Sequence, residues 1–305
     1  MDNKGLYTSD GDLFFNGTKV GVANADSIAY DNTDSGLDAT TVQEAIDELS
    51  HGIGSGGANP FAGKKIGIIG DSFTAGGSWV NKMSVLLGAS RVNKAISGGR
   101  WSYNSEKPYH SALSCARQLF SAYNQSSTQP DYIIALYGVN DYGNTIQVGS
   151  INFVSVSSQE GNTEEQIASN IISAYNVSSG AFSSGVQAAI AYMQLMFPNA
   201  IIMVGWTPTG QQYMRTDLAR GGGWDNDVTV GQTTYYAANK YIKMLQQLAL
   251  MHGVRYIDTF NCGINPWLED HRSKYQSSAT DAHPYTEAAG TRIAQYMARL
   301  LIKEA

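Results

Sequence analysis

The sequence predicts an α/β protein: a three-layer α/β/α sandwich around a parallel five-stranded sheet, with a small N-terminal appendage. Three observations carry that expectation. Apolar runs of strand length alternate with stretches of helical period. The runs have the length of buried parallel strands, covered on both faces by helices. A Gly/Ser-rich break, GIGSGGAN at 52–59, then separates a short opening segment from the rest.

The opening segment, 1–51, differs in character from the remainder of the chain. DLFFNGTKVGVA reads as a small hairpin around Asn16-Gly17. Further on, Thr40 or Thr41 is placed to cap a short helix carrying Val42, Ala45, Ile46 and Leu49 on one side. A piece this small cannot own a core, so it is expected to pack on a partner or on its own copies in an oligomer.

After a linker at 52–60, the domain at 61–305 should supply the sheet. Its strands are expected at 66–70, 92–96, 132–137, 201–206 and 254–257. Helices are expected at 79–87, at 164–175 with Thr163 as cap, and at 186–197, ended by Pro198. Two more should run over 234–251 and 286–302. In the last, Ala289, Ile293, Tyr296, Met297, Leu300 and Leu301 recur at helical spacing. Strand–helix alternation of this kind implies right-handed crossovers, with ligand sites beyond the carboxyl ends of the strands.

Composition excludes several classes of function. Apolar residues make up 43% of the chain and charged ones 15%, enough to bury a core and too apolar for disorder. A net charge of -6 argues against nucleic-acid partners, which require Lys and Arg to neutralise phosphates. Cys115 and Cys262 lie far apart with no CxxC spacing, so they read as two buried free thiols. No basic region followed by an apolar run opens the chain, and no stretch of about 18 apolar residues occurs. No membrane partner is expected, and the compartment is left open.

The chemistry-bearing residues sit where such a fold puts its sites. After the first strand of the domain comes Gly70-Asp71-Ser72-Phe73-Thr74, a sharp turn presenting a hydroxyl at a helix start. Alone, Ser72 would more simply be a helix cap. After the second comes Ser97-Gly98-Gly99, where a glycine lets a backbone N–H approach a developing oxyanion. After the third comes Gly138-Val139-Asn140-Asp141, whose Asn amide is a second donor, although an Asx turn is the plainer use. Before the last helix stands Asp281-Ala282-His283-Pro284, an imidazole with a carboxylate close by. His51, His110, His252 and His271 lack such a context and read as ordinary solvated histidines. Gly67 and Gly70 do not complete the GxGxxG spacing of a nucleotide site.

Together these four blocks, in order, resemble the SGNH (GDSL-like) hydrolase family over roughly residues 61 to 305: GDSFT at 70–74, Gly98, GVND at 138–141 and DAHP at 281–284. The resemblance implies a flavodoxin-like sandwich and a serine esterase that needs neither metal nor organic cofactor. Ser72 would be the nucleophile and His283 its base. The Ser72 N–H, Gly98 and Asn140 would form the oxyanion hole. One departure stands out. The family's Asp usually lies three residues before the His, where this chain has Thr280; the carboxylate here is Asp281, two before. Either the loop bends so that Asp281 still reaches the imidazole, or a backbone carbonyl orients the ring and the site is a dyad.

Long loops at 141–162 and 208–231 should rim the site with Tyr142, Phe153, Tyr213 and Trp224, joined by Trp101. Aromatics there suit a sugar ring or an acyl chain, or else pack the loops themselves. No broad apolar lid segment appears, so small acyl groups on a carbohydrate are the expected substrate. The run SIAYDNTDSGLDATTVQEAIDEL at 27–49 resembles a segment of phage tail-fibre proteins. That resemblance implies a virion-associated deacetylase assembled as a homo-oligomer. The alternative is a non-catalytic glycan-binding or structural head that retains the hydrolase fold.

Overall fold

The computed structural model describes residues 6–9, 12–15, 18–20, 29, 40–44, 60–156, 161–208, 225–264, 269–276 and 286–304. It divides into two compact units, Met1–Pro60 and Phe61–Ala305.

In the first unit, β1 (Leu6–Ser9), β2 (Asp12–Phe15) and β3 (Thr18–Val20) form an antiparallel sheet in that order. Phe15 pairs with Thr18 across Asn16-Gly17, and that dipeptide itself lies outside the described residues. Thr41 caps the short helical turn after it. Its hydroxyl accepts from Glu44 N–H at 3.1 Å, while the Glu44 carboxylate accepts from Thr41 N–H at 3.0 Å. Ala45, Ile46 and Leu49 fall outside the described residues.

The second unit begins with β4 (Lys65–Gly70), α1 (Ser72–Ala75), α2 (Trp79–Leu86) and β5 (Ser90–Asn93). Then come α3 (Ala112–Gln125), β6 (Tyr132–Leu136), α4 (Val139–Gly143) and α5 (Glu164–Ala174). They are followed by α6 (Phe182–Met196), β7 (Ile201–Gly205) and the hairpin of β8 (Val228–Val230) and β9 (Thr233–Tyr235). The chain finishes with α7 (Ala238–Met251), β10 (Arg255–Ile257), α8 (Glu269–Tyr275) and α9 (Glu287–Glu304).

Five strands make one sheet in the order β10-β7-β6-β4-β5, every pair parallel. Side chains alternate across it, as the two-residue period of a strand requires. Along β6, Ile133 and Ala135 enter one apolar cluster with α3, α5, α6 and α7. Tyr132, Ile134 and Leu136 enter the other, with Trp79, Val80 and Met83 of α2 and Ile293, Met297 and Leu301 of α9. The expected sandwich is therefore present, with helices on both faces.

Several boundaries differ from those expected. The edge strand is β5 at 90–93 rather than 92–96. It is largely exposed, so an apolar run is a poor guide to its position. α6 starts at Phe182, four residues earlier than expected, because Phe182-Ser183-Ser184-Gly185 is buried yet shows no apolar period. α7 starts at Ala238 instead of 234, since Thr233–Tyr235 pair with β8 as β-branched and aromatic residues favour. α3, capped by the Ser111 hydroxyl accepting from Ser114 N–H at 3.3 Å, was not anticipated. α5 carries a full capping box between Thr163 and Gln166. Cys115 and Cys262 are free and buried, and burial raises both thiols above their ordinary pKa. Among the described residues, no helix is long and apolar enough to cross a membrane.

Candidate active site

β4 sits between β5 and β6, so the segments leaving these three strands emerge side by side. The neighbouring chains are tied beyond the strand ends: Ile96 N–H donates to the Gly70 carbonyl at 2.9 Å, and Asp71 N–H to the Leu136 carbonyl at 3.2 Å. Ser72 follows the central strand as the first residue of α1, partly exposed. The turn before it is fixed by Asp71, whose buried carboxylate caps the helix by accepting from Phe73 N–H at 3.1 Å.

Gly98 lies on the segment leaving β5 with φ +77°, a conformation that side chains rarely adopt. A Cβ there would stand 3.1 Å from Nδ1 of His110. The imidazole of His110, stacked edge-on against Tyr109 at 4.5 Å, therefore lies over this glycine. The two stretches are also zipped by backbone: Arg100 N–H donates to the His110 carbonyl at 3.0 Å, and Ala112 N–H to the Arg100 carbonyl at 2.9 Å. His110 is thus part of the site's surroundings, which its sequence context did not reveal.

Asn140 lies on α4, and its Nδ2 donates to the Gly99 carbonyl at 2.8 Å. That bond joins the second and third blocks directly. A side-chain amide carries two N–H groups, so one can hold Gly99 while the other serves an oxyanion. The preceding Gly138 has φ +139°, and a Cβ on it would run into the Trp206 ring at 2.2 Å. Only glycine lets α4 start so close to the end of β7.

Two buried carboxylates brace these loops. Asp141 accepts from Trp101 N–H and Ser102 N–H, both at 2.9 Å, holding the chain just past Gly98-Gly99. Burial raises its pKa, against the pull of those N–H groups. Asp71 accepts from the Thr207 hydroxyl, which in turn takes Val139 N–H at 3.4 Å. One side-chain relay thus links the turns after β4, β6 and β7. Burial is the main cause that pushes Asp71 up to about 7, and the nearby Asp141 adds to it. Thr207 carries no motif and sequence reasoning missed it; its position one residue past an apolar run was the only signal.

The structure therefore brings Ser72, Gly98 and Asn140 to one edge of the sheet. Asp281 and His283, with Thr280, lie outside the described residues. Of the expected rim aromatics, Trp101 and Tyr142 are 0% and 3% exposed, so they pack the loops and face no ligand. Phe153 is 86% exposed, while Tyr213 and Trp224 lie outside the described residues. Among the described residues, no three His, Cys, Asp or Glu side chains gather as metal ligands.

Comparison with known proteins agrees with this architecture. The sequence model of the GDSL-like lipase/acylhydrolase family matches residues 68–289. No curated protein sequence matches the chain. One solved structure is 20% identical, with TM-score 0.57, covering 80% of this chain and 98% of its own. A protein from Lactobacillus plantarum is 18% identical, with TM-score 0.52, covering 80% of this chain and 99% of its own. These two share the fold. More distantly, an acetyl xylan esterase from the rumen bacterium Butyrivibrio proteoclasticus is 14% identical, with TM-score 0.43, over 80% of this chain and 65% of its own.

Proposed function

Because the chain belongs to the GDSL-like lipase/acylhydrolase family, a family of ester hydrolases, we propose that it is a serine esterase removing small acyl groups, acetyl first among them, from a carbohydrate. What supports this most is the bond from Asn140 Nδ2 to the Gly99 carbonyl. It draws two oxyanion-donor segments together beside the serine that follows β4.

Ser72 Oγ attacks the ester carbonyl while His283 takes its proton. The oxyanion that forms is held by the N–H groups of Ser72 and Gly98 and by the Asn140 amide. His283 then passes the proton to the departing alcohol, leaving the acid on Ser72. Water, deprotonated by the same imidazole, releases that acid and restores the serine. Asp281, or a backbone carbonyl in its place, keeps the ring in the tautomer that can accept.

The test is acetate release from acetylated glycans, run beside Ser72→Ala and His283→Ala. Each variant should lose turnover by several orders of magnitude, and fluorophosphonate labelling should vanish in Ser72→Ala. A native protein that takes no label and releases no acetate would return the chain to the non-catalytic, glycan-binding alternative, whereas labelling that survives Ser72→Ala would move the nucleophile to another residue. Equal turnover of long- and short-chain nitrophenyl esters would sink the preference for small acyl groups. The proposal extends to the N-terminal segment: residues 1–51 assemble the chain as a homo-oligomer on a phage tail, where it trims a bacterial surface glycan. Particles carrying Ser72→Ala should then show a host-range defect.

A further inference from the structure

We infer that Arg100 anchors an anion subsite beside the oxyanion loop, so that the esterase selects acylated glycans carrying an acidic group near the ester. This rests on the esterase assignment and names its substrate class.

Arg100 stands two residues beyond Gly98, so its Cα lies within about 7 Å of that glycine's. With Tyr103, Ser105, Thr145, Gln147 and Ser179 it lines a cavity of about 350 Å³. The opposite wall, at 145–147, continues from the helix that carries Asn140. The cavity is therefore built from extensions of two oxyanion segments, a short distance along any bound polymer from the scissile ester.

The guanidinium is only partly used. It donates from Nη2 to the Tyr103 carbonyl at 3.1 Å, while Nε is buried and has no hydrogen-bond partner among the described residues. Burial lowers its pKa, the mark of a cation poorly repaid for lost water. Asp141 and Glu106 pull the other way, but neither forms an ion pair with it within 4 Å among the described residues. Asp141 has committed both oxygens to the N–H groups of Trp101 and Ser102. By contrast, Arg117 is satisfied by both oxygens of Glu164, at 2.7 and 2.8 Å.

A half-buried guanidinium that lines a cavity and has no carboxylate partner within 4 Å among the described residues can take an anion from outside. The hydroxyl and amide side chains around it suit the remaining oxygens of a sugar. Thr145 lines the same cavity at φ +55°, a costly conformation for a β-branched residue. The shared chemistry is an oxyanion, either a uronic carboxylate or a sugar phosphate.

Two arms test this. In the first, acetate release is followed on O-acetylated polygalacturonate and on its neutral methyl-esterified form. The native protein should favour the acidic form by about tenfold or more in kcat/KM, the loss expected on removing a charge-assisted contact. Arg100→Gln should bring the two substrates to within about twofold. In the second arm, calorimetry measures binding of galacturonate, glucose 6-phosphate and galactose. One of the two anions should bind, and which one names the source; galactose should not, and Arg100→Gln should lose the binding.

No acid preference in the native protein, or a preference that survives in Arg100→Gln, would overturn the subsite while leaving the esterase standing. So would an equal fall on both substrates, which is what a purely structural arginine predicts. Conversely, Arg100-dependent galacturonate binding without any acetate release would keep the subsite and remove the esterase. If Arg100→Gln does not fold, Arg100→Lys carries the test: it keeps the charge, loses the fork, and should show a reduced acid preference.

Discussion

Gly98 meets two demands at once, because its backbone is left-handed and the His110 imidazole stands 3.1 Å from where a Cβ would lie. The two can be separated. Gly98→Ala should lower kcat by about 10²–10³, the cost of a misplaced oxyanion donor. Adding His110→Ala removes the obstruction but not the φ strain, so most of that loss should remain. Full recovery in the double variant would mean that the ring, not the backbone, is what requires glycine. The carboxylate before His283 poses a separate question. If a backbone carbonyl orients the ring, Asp281→Asn should keep far more activity than His283→Ala. If the two variants fall together, below about 10⁻³ of native kcat, Asp281 completes a triad.

At the scale of elements, the turns that carry these residues are held by buried carboxylates. Asp71 bridges α1 to Thr207 and, through that hydroxyl, to the start of α4. Native Asp71 keeps its proton up to about pH 7, whereas an unfolded aspartate releases it near its ordinary value of about 3.9. Between those limits the native state binds more protons. The stabilisation from this group is therefore full below about pH 4, declines as pH rises and is gone above about 7. Asp141, raised for the same reason, acts in the same direction. Denaturant midpoints measured from pH 4 to 8 should fall more steeply for the native protein than for Asp71→Asn; parallel curves would show that Asp71 is ionised in the fold. Asp141→Ala, which strands two buried N–H groups, should cost about 2–5 kcal/mol in the same measurement.

How much of this could be read from the chain depends on where each element is buried. β4, β6 and β7 are enclosed by helices, so Ile66–Gly70 and its counterparts are continuously apolar and visible. β5 at the edge is exposed and was displaced by two residues. α3 buries Ala112, Leu113, Cys115, Ala116, Leu119 and Tyr123 at helical spacing, but small side chains among serines blunt the signal. That Ser72, Gly98 and Asn140 would fall at neighbouring strand ends was legible because strand ends and short motifs coincide. The braces were not. Thr207 acts through Asp71 and Val139, neighbours brought close by the sheet order, which no local pattern encodes.

For the whole molecule, the question is what the first unit does for the second. Every member of the two apolar clusters around the large sheet lies between Phe61 and Ile302. That sheet and its helices thus draw their described core from their own unit, and a chain of residues 61–305 is expected to fold cooperatively. A unit with its own core keeps its own site when it stands alone. Residues 61–305 should therefore keep kcat/KM within about twofold of the full chain on a small nitrophenyl ester. Assembly should behave otherwise. If residues 1–51 hold the oligomer, sedimentation should find the full chain associated and residues 61–305 monomeric. Loss of fold in the shorter chain would show that the first unit contributes to the core, whereas an unchanged oligomer would move the assembly surface onto the hydrolase domain. In the latter case the exposed Val85 and Leu86 of α2 and Leu250 of α7 become the first positions to substitute.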